Sequence, residues 1–283
     1  MRSDPGVTET ASCADFLAWA LPRLGLAPPG FRRVRRQVCK RLHRRLRDLS
    51  LRDLAGYWRH LETHPDEWAV ADRCCHITIS RFYRDRPVFD RLANEIMPAL
   101  AAAARGVGRS MLRVWSAGCA SGEEPYTLAL VWHFVVAARY GDLSLAVVAT
   151  DADAKVLARA HDALYPPGCL RELPRDWVTL AFVPEGKLLR LNPELRAGIT
   201  FLCQDLRSAA PEGPFDLILC RNLAFTYFDE SGRRDALARL SGRLAPGGAL
   251  VIGRHERLPP DRAPLEPWIA ELGIFRRGGA PAP

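Results

Sequence analysis

The stretch from Met111 to Ala163 constrains this 283-residue chain more than any other. A strand-like apolar run, Met111 to Ala117, enters a Gly/Ser turn and continues into a helical stretch from Glu123 to Tyr140. A second apolar run, Leu143 to Thr150, ends at Asp151 and leads into a helix over Ala154 to Ala163. Strand, helix, strand and helix in succession predict parallel strands joined by crossover helices. Further strands are expected at Ile199 to Cys203, Phe215 to Cys220 and Ala249 to Gly253. A helix is expected over about Gly232 to Leu244, with a Pro246-Gly247-Gly248 turn before the last strand. The fold class is therefore α/β with a Rossmann-like sheet. Tyr165 to Gly198 is too long for a simple connection, and its prolines around the strand-like Lys187 to Leu191 predict a small β insertion at about 166–198.

Ahead of residue 76 the rhythm is helical only, so an all-helical N-terminal domain over 1–75 precedes an α/β domain over 76–278 and a disordered tail at 279–283. Val34, Val38, Leu42 and Leu46 recur every four residues and form the apolar stripe of an amphipathic helix. The rest of that helix is basic: residues 32–47 hold nine Lys or Arg and no acid, while the whole chain carries +8, leaving −1 elsewhere. The basicity is one local patch, which suits an acidic partner. Ser50 followed by Asp53 predicts a capping-box start for the next helix, through Leu54, Trp58 and Leu61, which His64-Pro65 stops.

The longest apolar stretch, Leu128 to Ala138, is too short to span a bilayer, and the acidic amino terminus does not resemble a signal peptide. The eight scattered cysteines, including the adjacent Cys74 and Cys75, read as buried thiols of a cytoplasmic protein, without the spacing of a disulfide framework or a metal site.

Trp115 to Tyr126 places Gly118 and Gly122 on the turn leaving the first strand, where glycine allows positive φ and close approach of a nucleotide-type ligand. The glycines stand four apart, and Glu123 and Glu124 occupy the helix start, where a pyrophosphate needs amides and cations. S-adenosylmethionine, without phosphate and with a sulfonium cation, suits these carboxylates better. Complementing the helix dipole is the glutamates' other reading. Asp151 stands where such folds place an acid for ribose hydroxyls, or it caps the following helix. Asp205-Leu206 ends the next strand, where an adenine amino group could donate to the acid.

These residues resemble the CheR-type methyltransferases, which use S-adenosylmethionine to esterify glutamates of bacterial chemotaxis receptors. The resemblance spans roughly residues 35–257. It rests on Arg41-Leu42, Arg44-Arg45-Leu46, Phe82-Tyr83-Arg84-Asp85, the Trp115 to Tyr126 block and Ala149 to Asp153. It continues through Gly213-Pro214-Phe215-Asp216, Cys220-Arg221-Asn222, Tyr227-Phe228-Asp229 and Pro246-Gly247-Gly248. It implies a class I S-adenosylmethionine-dependent methyltransferase sheet. It assigns Ser80, Arg84, Gly118, Gly122, Glu124, Asp151, Asp205, Leu206 and Asn222 to cofactor binding, and Arg84, Asn222 and Tyr227 to the methyl-transfer pocket. Arg84 would clamp either the substrate's carboxylate or the cofactor's own; an ion pair with Asp85 or Glu95 is its structural alternative.

Three departures stand out. The connector Leu223 to Thr226 is longer than the family's, which turns Tyr227 relative to Asn222. Ser80-Arg81-Phe82-Tyr83-Arg84 replaces a Thr-x-Phe-Phe-Arg pattern, and His255 precedes Glu256 where the family has serine. The resemblance implies glutamate methylation on an acidic, chemoreceptor-like helical bundle contacted by the basic helix 32–47. A small-molecule or nucleic-acid methyltransferase, or a cofactor-binding sensor without catalysis, is the alternative. No aromatics interleave with the arginines of 32–47, which argues against nucleic acid.

Overall fold

The computed structural model describes residues 11–261 and 264–279, which form two compact units: 11–77 with 226–232, and 78–225 with 233–279. In the helical unit, α1 (Cys13–Arg23) begins at a reciprocal cap. The Asp15 amide donates to the Ser12 hydroxyl, and the Ser12 amide donates back to the Asp15 carboxylate. The basic helix is α2 (Arg35–Asp48), and Val38, Leu42 and Leu46 are its buried stripe. Helix α3 (Leu54–Thr63) starts three residues later than the capping box at Ser50 requires: Asp53 is the cap, accepting from the Gly56 amide at 2.8 Å. Trp19 stacks on Trp58 with ring centroids 4.2 Å apart, and Phe16 on Tyr57 at 5.6 Å, so aromatic rings fill this small core.

Two of the nine basic side chains point inward. Arg45 makes a two-pronged contact with Glu67 of α4 (Glu67–Cys75) at 2.8 and 2.7 Å, and the Tyr57 hydroxyl donates to the same carboxylate at 2.7 Å. Arg41 donates to the carbonyls of Cys74 and His76 at the end of α4. The seven exposed cations are Arg32, Arg33, Arg35, Arg36, Lys40, Arg44 and Arg47. One expectation is overturned here: Cys13 and Cys39 form a disulfide, with Cα atoms 6.1 Å apart. The pair joins two helices across 26 residues of sequence, so no local spacing announces it. Residues 226–232 return to this unit. The Ala27 amide donates to the Tyr227 carbonyl at 2.8 Å, and the Tyr227 ring lies 5.0 Å from Phe31.

The α/β unit begins with α5 (Arg86–Arg91), a π-helical turn and α6 (Met97–Gly106), then β1 (Met111–Ala117), α7 (Glu123–Val131) and β2 (Ser144–Asp151). There follow α8 (Ala154–Asp162), β3 (Leu164–Tyr165), α9 (Arg175–Ala181), β4 (Phe182–Glu185), β5 (Leu188–Leu191), β6 (Ile199–Cys203) and β7 (Phe215–Cys220). The chain then runs through α10 (Ala224–Tyr227), α11 (Glu230–Arg243), β8 (Leu244–Ile252), β9 (Leu265–Ile269) and β10 (Ile274–Arg277). The described residues form a seven-stranded sheet of order β6-β2-β1-β7-β8-β10-β9, parallel except for β10. β7 is buried at every residue, which explains its mostly apolar sequence; its one charged side chain, Asp216, accepts from the Arg109 guanidinium at 2.7 Å. The Pro246-Gly247-Gly248 turn lies inside β8 as a register break: Phe215 pairs with Leu244, but Leu217 pairs with Ala249. The insertion is a three-stranded antiparallel sheet, β3-β5-β4. Residues 280–283 of the expected disordered tail lie outside the described residues.

Candidate active site

The strand order places β2 on one side of β1 and β7 on the other. Connections leaving β1 and β7 therefore diverge, and a crevice opens at their carboxyl ends, where open α/β sheets bind ligands. On the β1 side, Gly118 has φ +81° and donates its amide to the Thr150 carbonyl at 2.8 Å; a Cβ there would lie 2.6 Å from Leu223 Cδ2. Gly122, at φ +90°, is crowded by Tyr126, Ala160 and Tyr165, so interior packing accounts for it. Asp151 ends β2 and accepts from the Ala120 amide at 2.9 Å and the Asp153 amide at 3.0 Å, which fixes its carboxylate beside the β1 turn. Asp153 caps α8 through Lys155. Asp205 accepts from the Arg207 guanidinium at 2.7 Å, and Leu206 next to it is buried.

The two glutamates at the start of α7 have different surroundings. Glu124 accepts from Ser116 Oγ at 2.8 Å and from Arg221 Nη1 at 3.0 Å. Glu123 is only 5% exposed, and its Oε2 has no hydrogen-bond partner among the described residues. Burial pushes its carboxyl above the ordinary glutamate range. Burial likewise pushes the Cys119 thiol well up, which removes it as a nucleophile.

On the β7 side stands a residue that sequence reasoning quoted without assigning a role. Arg221, with a side chain 2% exposed, donates through Nη2 to Asp85 at 2.6 Å and to the Arg84 carbonyl at 2.9 Å, besides its contact with Glu124. Its place between Cys220 and Asn222, just past the apolar run Leu217 to Cys220, was the available signal: a guanidinium there is buried and needs anionic partners. Asn222, at φ +56°, donates its amide to Glu256 Oε2 at 2.9 Å, and the Gly253 amide donates to the same oxygen. Glu256 thus ties the ends of β7 and β8, while His255 is exposed.

The segment before α5 carries Ser80 and Arg84. The Phe82 amide donates to the Cys169 carbonyl at 3.0 Å, the Tyr83 amide to Thr127 Oγ1 at 3.1 Å, and the Tyr83 hydroxyl to Asp90 at 3.0 Å. Arg84 Nη1 donates to the Ile79 carbonyl at 2.8 Å. The acids proposed as its ion-pair partners are engaged elsewhere, Asp85 by Arg221 and Glu95 by Arg91. Among the described residues no carboxylate pairs with Arg84. Tyr83, Asp85, Ala120 and Asn222 all have positive φ without being glycine. Such conformations cost about 1–3 kcal/mol each and gather where surrounding contacts hold them for function. Tyr227 folds with the helical unit described above.

The family description "CheR methyltransferase, SAM binding domain" matches residues 78–269. The chain is similar to the chemotaxis protein methyltransferase of Listeria innocua, with 37% identity over 199 residues, covering 70% of this chain and 71% of that protein. It is 33% identical over 273 residues to the chemotaxis protein methyltransferase of Klebsiella aerogenes, covering 88% and 90% of the two chains. Its identity to the protein of the same name in Escherichia coli is 31% over 258 residues, covering 83% and 86%.

Proposed function

Because the chain belongs to the CheR methyltransferase family and is an S-adenosylmethionine-dependent methyltransferase, we propose that it esterifies glutamate side chains of a chemoreceptor-like helical protein. The site's donor set fits the cofactor. A carboxylate fixed by Ser116 and Arg221 suits a cationic methionine group, Asp151 suits ribose hydroxyls, and the turn at Gly118 lets a ligand reach the main chain. Asp205 and Leu206 would border the adenine, and Ser80 and Asn222 the methyl end. When bound, S-adenosylmethionine supplies a methyl group that leaves with its bonding pair on sulfur and is taken by a carboxylate oxygen of the substrate.

The protein has little else to supply. A glutamate is already ionised near neutral pH, so no base is required. It must be aligned and stripped of water. Arg84 carries the reading: its guanidinium holds a backbone carbonyl and no carboxylate among the described residues, and its planar fork fits a carboxylate bidentately. The seven exposed cations on and before α2 form a surface suited to an acidic helical partner. Asn222 is proposed to line the pocket.

Labelled-methyl transfer to the cytoplasmic part of a chemoreceptor tests this. Incorporation into protein that is released by mild alkali is the expected result, because carboxyl esters hydrolyse there. Alkali-stable label would mean amine methylation and overturn the carboxyl assignment.

A further inference from the structure

We infer that Arg221 is a positioning residue that holds the Arg84 segment in register with Glu124, so that the carboxylate clamp and the cofactor carboxylate form one unit. This rests on the roles proposed above for Arg84 and Glu124. One guanidinium joins three separate pieces of chain. It sits at the end of β7, bonds Glu124 at the start of α7, and bonds both the side chain of Asp85 and the carbonyl of Arg84. Its guanidinium carbon lies 5.1 Å from the Phe89 ring centroid, which fixes its plane from the α5 side.

Arg84 needs such a support because the backbone around it does not hold itself. Tyr83 at φ +56° and Asp85 at φ +63° flank it in left-handed conformations that side-chain-bearing residues seldom adopt. On one side the strain is countered by the Tyr83 amide's bond to Thr127 and the Tyr83 hydroxyl's bond to Asp90. On the other it is countered by Arg221, which bonds the Arg84 carbonyl and the Asp85 carboxylate through the same Nη2. The other terminal nitrogen, Nη1, serves Glu124. A lysine could not span these partners, because its charge sits on a single nitrogen rather than a fork. Two carboxylates on one guanidinium leave a net negative charge there, which favours a cationic ligand and disfavours a phosphate.

The test compares Arg221→Gln, Arg221→Lys, Asp85→Asn and the double variant Asp85→Asn/Arg221→Gln. Asp85 is 29% exposed, so its variant probes the same link from a tolerant end if Arg221→Gln folds poorly. In ligand-free protein, amide hydrogen exchange over residues 80–85 is expected to rise at least about 10-fold in Arg221→Gln and in Asp85→Asn, with exchange in β1 and β7 unchanged. In turnover, kcat is expected to fall about 100-fold in Arg221→Gln, as a misplaced clamp should produce. S-adenosylhomocysteine affinity, read by calorimetry, is expected to fall about 10-fold in that variant, because Glu124 loses its anchor. Asp85→Asn should lower kcat with affinity nearly unchanged. The double variant should be no worse than Arg221→Gln alone, and Arg221→Lys should recover thermal stability without recovering kcat. Unchanged exchange over 80–85 in both single variants, or additive losses in the double variant, would overturn the inference. The exchange measurement needs no ligand, so it decides this point even if wild-type protein gives no heat with S-adenosylhomocysteine, a result that would count against the site assignment instead.

Discussion

Arg84→Ala is expected to lower methyl transfer about 1000-fold, with S-adenosylhomocysteine affinity changed less than about threefold. The argument is one of partners. In the structure Arg84 neutralises no acid among the described residues, and its bond to the Ile79 carbonyl is a local contact within its own segment. Truncating it strands no buried carboxylate, so the cost in stability should stay below about 1 kcal/mol. What is lost is a fork of donors aimed at a group that the free protein does not contain. Arg84→Lys should restore only part of the rate, because the charge returns without the two-pronged geometry. Steady-state transfer and calorimetry on the same preparations separate the two roles open to this residue. Loss of rate alone assigns the guanidinium to the substrate carboxylate; loss of rate and affinity together assigns it to the cofactor's own.

Glu67→Gln is expected to destabilise the helical unit by about 3 kcal/mol at neutral pH, the range for breaking a buried pair from one side. Glu67 is 8% exposed and satisfies both Arg45 and the Tyr57 hydroxyl, so the substitution leaves a guanidinium with half its acceptor set. The Arg45 guanidinium bonded to the carboxylate holds its pKa below the usual 4.5. A depressed carboxyl contributes stability above its unfolded pKa and loses it as pH falls through the folded value. The difference between wild type and variant should therefore be full at pH 7 and shrink below about pH 4. Urea unfolding of both proteins across that range checks the sign; a difference that stays constant on acidification would mean the pair is not the cause.

The parts of the fold legible in the sequence were those whose burial writes a pattern. β1, β6 and β7 fall where their apolar runs predict; β1 and β7 are central parallel strands covered on both faces, whereas β6 is an edge strand and stays partly exposed. β9 and β10 were not read. The first contains Glu266 and Pro267 and the second ends in two arginines, since antiparallel strands near a sheet edge keep only part of their residues buried. The long helix expected over 123–140 ends its α-helical part at Val131 and passes into a π-helical turn at Trp132–Val136, a change of hydrogen-bond pattern that apolar spacing does not encode.

The site divides in the same way. Glycine and acid positions at strand ends are local signals, and the turn after β1 could be read from them. Arg221's partners could not, because Asp85 and Glu124 stand 136 and 97 residues away in sequence, even though a guanidinium at that strand end signals burial. The Cys13–Cys39 disulfide escaped for a related reason, as it depends on how two helices face each other.

The most direct measurement is a calorimetric titration of the purified, full-length protein with S-adenosylhomocysteine. One saturable site per chain, weakened when Glu124 is replaced by alanine, is the result expected of a crevice that holds an adenosyl sulfonium between β1 and β7. Absence of heat from a folded wild-type protein, or binding indifferent to Glu124, would contradict that site.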